Sequence, residues 1–131
     1  MTDSAAVRRR VLSWPWAVGI DAVLVVVFAA IGRASHEHSL SVLGVLETAW
    51  PFLAGLVAGW MLLRAWKAPT APLRTGALLV VVTVALGMVL RVVSGGTTAV
   101  AFIIVATVTL LAFLVGWRGI AVLVARLRAR R

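Results

Sequence analysis

The sequence predicts an all-α integral membrane protein whose four transmembrane helices pack as a compact bundle. Three observations carry that reading. Apolar residues fill 63% of 131 positions, and mean hydropathy is +1.09. Only four acids are present, a composition far outside that of soluble domains. Several apolar runs approach the roughly 20 residues that cross a hydrocarbon core, and they occupy most of the chain. Such runs are too long for barrel strands, and backbone amides in lipid must be satisfied within the segment, so they are read as helices.

In chain order, residues 1–13 form a basic start with Arg8, Arg9 and Arg10. The next run, 14–31, opens on Trp14-Pro15-Trp16 and contains Asp21. It lacks a small-x-small cleavage pattern, so it reads as a retained first span rather than a signal peptide. A polar connection, Arg33 to Ser41, leads to a second span over 45–63, with Glu47 near its start and Pro51 inside. The basic linker 64–74 contains Pro69 and Pro72, which lack the amide donor that helix propagation needs. The third span, 76–93, ends through Arg91 and Ser94-Gly95-Gly96. The fourth, 97–117, carries no charge. Residues 118–131 read as a basic helical extension or tail. The transmembrane domain is thus 14–117.

Each of the last three spans shows small or polar residues at helical spacing. These are Gly44, Thr48, Gly55 and Gly59; Gly76, Thr83, Gly87 and Arg91; and Thr98, Ala101, Thr109, Ala112 and Gly116. Stripes of this kind let membrane helices approach closely, either within one bundle or across a homodimer. The Gly55-x-x-x-Gly59 pair fits both uses.

Charge placement gives an orientation. Eleven of the 13 basic residues fall on one side of the four-span arrangement, leaving Arg33 and Arg91 on the other. The positive-inside rule then puts both termini in the cytoplasm. Trp14, Trp16, Trp66 and Trp117 would line the inner boundary. The arginine-rich composition, 12 arginines against Lys67 alone, fits a bacterial cytoplasmic membrane protein. Topology and anionic lipid already account for the +9 net charge, so no nucleic-acid partner is expected.

Asp21 is the most informative residue. Seven positions beyond Trp14, it lies about 10 Å along the helix, where a bare carboxylate is costly. It should be paired with Arg64 or Arg74 reaching in from the linker, or serve as a proton- or cation-binding group, or cap a helix whose boundary lies deeper. Arg33, Glu47 and Arg91 form a second candidate group near the outer boundary. There they either neutralise one another or offer an arginine fork to an anion. His36 and His38 flank Glu37 in the connecting loop. They contain metal-ligand types, but no further histidine or any cysteine completes a site, so neither a metal nor a cofactor is expected. The two histidines read as part of a solvated loop, with pH sensing as its alternative use. Trp60 and Arg64, one turn apart, suggest a cation-π contact.

Several elements together resemble the bacterial membrane-protein family called domain of unknown function 3054. They are Asp21 with Ile31-Gly32-Arg33-Ala34-Ser35-His36, Thr48-Ala49-Trp50-Pro51-Phe52-Leu53 with Gly59-Trp60, Gly87-Met88-Val89-Leu90-Arg91, and Trp117-Arg118. The likeness runs from Trp14 to Arg118. It implies a small integral membrane protein, frequent in actinobacteria, with no assigned activity and no catalytic residues to carry over.

Two function classes follow, beside a third, an intramembrane enzyme acting on lipid, for which no catalytic pair is found. One is a helix-bundle accessory or structural component working in the bilayer, with a membrane-protein partner or as a homodimer. The other is a small proton- or ion-coupled transporter using Asp21, similar in size and helix count to the small multidrug resistance family. No nucleophile–base pair, carboxylate pair or phosphate-cradling loop supports an enzyme.

Overall fold

The computed structural model of the chain describes residues 13–35, 41–96 and 99–130. Four helices are each long and apolar enough to cross a membrane. Helix α1 covers Trp14–Ser35 and α2 covers Val42–Leu62. A π-helical turn over Pro72–Ala77 runs directly into α3, Leu78–Val93, giving a continuous span of 22 residues. Helix α4 covers Val100–Ala129. Among the described residues no strand occurs.

Local chemistry fixes the ends. Ser41 caps α2, its Oγ accepting from the Gly44 amide at 3.0 Å, which satisfies one of the orphan donors of a first turn. Pro51 lies inside α2, which continues through it without interruption. After Leu63 the backbone turns through Arg64 in the left-handed region (φ 49°) into a short 3-10 turn, Ala65–Lys67. Proline at the head of the π turn needs no amide partner there, and Thr75 Oγ1 donates to the Ala68 carbonyl at 2.5 Å, holding the loop against α3.

Packing follows the small-residue faces of α2 and α3. A methyl on Gly55 would meet the Thr83 carbonyl oxygen at 2.8 Å, and one on Gly87 would meet Phe52 Cδ1 at 2.5 Å. The Gly55-x-x-x-Gly59 pair is therefore spent inside the bundle, against α3. Between these helices and the other two lies a core of Val25, Phe28, Phe52, Leu56, Leu110 and Leu114. Phe28 meets Phe52 edge-on, ring centroids 5.3 Å apart, and Phe102 closes the cluster. Large apolar side chains also face outward along every helix, among them Val23, Val57, Val81 and Val108. Bilayer hydrocarbon is the solvent that tolerates that surface.

Helix α4 departs from the sequence expectation. Its buried face is Ala106, Leu110, Leu114, Arg118 and Ala125. Ala101 and Ala112 are exposed instead, and a methyl added to Gly116 would find nothing within 4 Å. Thr98 lies outside the described residues. Ala101, Ala112 and Gly116 thus mark no seam on α4, whose buried face is Ala106, Leu110, Leu114, Arg118 and Ala125. The helix also runs without a break past Trp117 to Ala129, through the basic extension.

A candidate site where the first and last helices meet

Asp21 sits on the face of α1 that also carries Ala17, Val25 and Phe28, one and two turns away, and all four are buried. Helical phase therefore turns the carboxylate into the bundle. Arg118 has the same relation to Leu110 and Leu114 on α4, and both charged side chains are 0% exposed. They meet as a bidentate pair. Arg118 Nη1 donates to Asp21 Oδ1 at 2.7 Å, and Nη2 donates to Oδ2 at 2.6 Å.

Two indoles complete the carboxylate's surroundings. Trp60 Nε1 on α2 donates to Oδ2 at 2.9 Å, and Trp117 Nε1 donates to Oδ1 at 2.8 Å. Each oxygen thus accepts two N–H groups, which uses the roughly four lone-pair directions a carboxylate presents. The guanidinium is held as fully. Its Nε donates to the Pro69 carbonyl at 2.9 Å, and Nη1 donates also to the Leu114 carbonyl at 2.9 Å. Gly76 makes room for the arginine stem, since a methyl there would lie 3.2 Å from Arg118 Cδ. One ion pair therefore ties α1, α2, α4 and the α2–α3 loop together.

The sequence pointed to Asp21 and to a pairing, but to the wrong arginines. Arg64 and Arg74 are both exposed; Arg118, placed among the inner-surface charges, is the partner. Trp60 gives its indole to Asp21, and the cation-π contacts among the described residues include Arg118 over Trp117 and Arg91 over Phe102. Trp117 accordingly belongs to the site. The signals for Arg118 lay in its spacing from Leu110 and Leu114 and in the apolar run Gly119–Ala125 that follows it.

Glu47 is exposed on α2, and among the described residues no ion pair joins it to Arg33 or Arg91. Arg33 Nη1 instead donates to Thr48 Oγ1 at 3.2 Å, with its guanidinium beside Gly44, and the Arg91 guanidinium lies 4.5 Å from the Phe102 centroid. His36 and His38 lie outside the described residues. Among the described residues no cluster of three metal-ligating side chains occurs.

Fold and site together define a polytopic α-helical membrane protein stapled through its interior by one arginine–carboxylate pair. The family model for the protein of unknown function DUF3054 matches residues 18–121. The chain belongs to that family, and the match takes in Asp21, Trp60, Trp117 and Arg118. No curated protein and no solved structure matches the chain.

Proposed function

We propose that this protein is a small accessory or structural component of a bacterial cytoplasmic membrane, with both termini in the cytoplasm, that works by docking a rigid helix bundle onto another membrane protein. The observation that carries this reading is the saturation of Asp21. All four acceptor directions of the carboxylate are occupied by Trp60, Trp117 and Arg118, and the pair is wholly buried. A group that binds and releases a proton or cation during transport needs an open coordination position and a path to water. The same residues are arranged here to hold the first, second and last helices together, so the coupled-transporter reading gains nothing from the site. Orientation rests on the charge asymmetry of the sequence.

The test is crosslinking of the tagged full chain in its native membrane followed by purification in gentle detergent. One recurrent membrane protein, recovered near equimolar amounts and absent with a scrambled-helix control, is expected. A chain that purifies alone and drives pH-dependent ligand flux in proteoliposomes would overturn the proposal. Cysteines placed at Ser39 and Ala71 test orientation: the first should label from outside, the second only after permeabilisation.

A further inference from the structure

The polar staple also fixes how far each helix reaches. Arg118 is clamped between Asp21 and the Pro69 carbonyl, so the α2–α3 loop lies at the level of the ion pair. Helix α2 ends at Leu62, two residues after Trp60, which bonds the same carboxylate. Helices α1 and α4 do not stop there. Seven residues of α1 precede Asp21 and eleven of α4 follow Arg118, which at the helical rise carries them about 10 Å and about 16 Å past the loop. The projecting parts expose Trp14, Trp16, Ile120, Leu123 and Leu127, side chains suited to hydrocarbon and headgroup rather than water. The loop is therefore recessed relative to the ends of α1 and α4, which extend past it on either side.

That recess is strongly cationic. Arg64, Lys67 and Arg74 are exposed on its floor, and Arg126, Arg128 and Arg130 are exposed on the end of α4. No acid follows Glu47 in the sequence, and Asp21 is already consumed by Arg118. Among the described residues none of these six cations has an acidic partner. Beside them Trp66, Leu73 and Leu78 present exposed apolar surface on the loop and at the start of the third span.

We propose that the recess is a binding site for an anionic glycerophospholipid, with Arg64, Lys67 and Arg74 on its phosphate and its acyl chains running into the bilayer along Leu73 and Leu78. Charge complementarity selects the headgroup, and the apolar walls select a lipid over a free anion. Basic pockets between spans, at the depth of the headgroups, are suited to this class of ligand. The arginines at the end of α4 lie farther from the floor and add general attraction to the anionic surface.

Native mass spectrometry of the delipidated full chain, offered phosphatidylglycerol and phosphatidylcholine with the same acyl chains, tests the proposal. Phosphatidylglycerol should be retained at least about tenfold more strongly, and R64Q/K67Q/R74Q should abolish that preference while R126Q/R128Q/R130Q keeps most of it. Single K67Q and R74Q should each lower it about fivefold, which covers the case of a misfolded triple variant. Equal retention of the two lipids would overturn the proposal, as would equal losses in the two triple variants, which signal diffuse charge alone. Displacement of phosphatidylglycerol by millimolar inorganic phosphate would also overturn it, in favour of a free-anion site.

Discussion

The two ends of the bundle each contain an acid and arginine; among the described residues Asp21 joins Arg118 in an ion pair, while Glu47 forms none. At one end Asp21 and Arg118 are buried and share two short hydrogen bonds, with two indoles and two backbone carbonyls completing the set. At the other, Glu47 faces outward while Arg33 bonds Thr48 and Arg91 stacks on Phe102. Helical phase makes the difference. Asp21 lies in line with Ala17 and Val25, all buried, whereas Glu47 lies in line with Leu43, Trp50 and Ala54, all exposed. Depth along a span says that a charge needs a partner; rotation about the helix axis decides whether it can reach one.

The largest effect should come from splitting the buried pair. Asp21→Leu strands a guanidinium, which keeps its charge, among apolar helices, and about 3–5 kcal/mol of stability should be lost. Asp21→Leu with Arg118→Met should regain most of that, because a buried pair replaced as a unit by apolar groups is close to neutral. Reversible unfolding in mixed micelles measures both, and a double variant no better than the single one would mean the pair is not a coupled unit. Next come the indoles. Trp60→Phe and Trp117→Phe each remove one donor to a charged acceptor and should cost about 1–2 kcal/mol, above the ~0.6 kcal/mol typical of polar contacts between membrane helices. Near-zero values for both would reduce the site to the bare ion pair.

Much of this architecture was legible in the sequence because hydropathy and span length act on the chain one segment at a time. The four spans, the glycine faces of α2 and α3, and the anomaly of Asp21 all follow from local composition. What was not legible depends on relations between segments. Arg118 follows Trp117 at the end of the uncharged fourth run, so it reads as a boundary charge until it is set on the Leu110–Leu114 face. Arg64 looked better placed beside Asp21, but the left-handed turn at Arg64 carries it out of α2. The stripe on α4 failed for the opposite reason: small residues permit close approach without requiring it, and the leucines of that helix meet the core instead.

The close seam between α2 and α3 offers a smaller effect than the pair and a sharp internal control. Gly55→Ala drives a methyl to 2.8 Å from the Thr83 carbonyl oxygen, and backbone cannot rotate away as a side chain can. A loss of about 1–3 kcal/mol is expected from the forced separation. Gly59→Ala meets mainly Leu79 Cδ1, also at 2.8 Å, and should cost less because that side chain can yield. Gly116→Ala, with open space around it, should be neutral to slightly stabilising through helix propensity. Thermal unfolding in detergent ranks the three, and a Gly116 variant as damaging as the Gly55 one would restore a packing role to the α4 stripe.

The smallest effect is expected where sequence reasoning had placed the second charged group. Glu47→Gln removes an exposed charge that has no ion-pair partner among the described residues, so stability should change by no more than about 0.5 kcal/mol. The comparison with Asp21→Asn makes this informative, since both changes replace an acid by its amide in a membrane helix. Asp21→Asn replaces one acceptor oxygen by an amide that donates, setting donor against donor where Trp60, Trp117 and Arg118 converge, and should be far more disruptive. A large loss from Glu47→Gln would mean that Glu47 meets a partner beyond the described residues, in the connection that holds His36 and His38. Silence at Glu47 and damage at Asp21 would show that the two ends differ in pairing and not merely in charge.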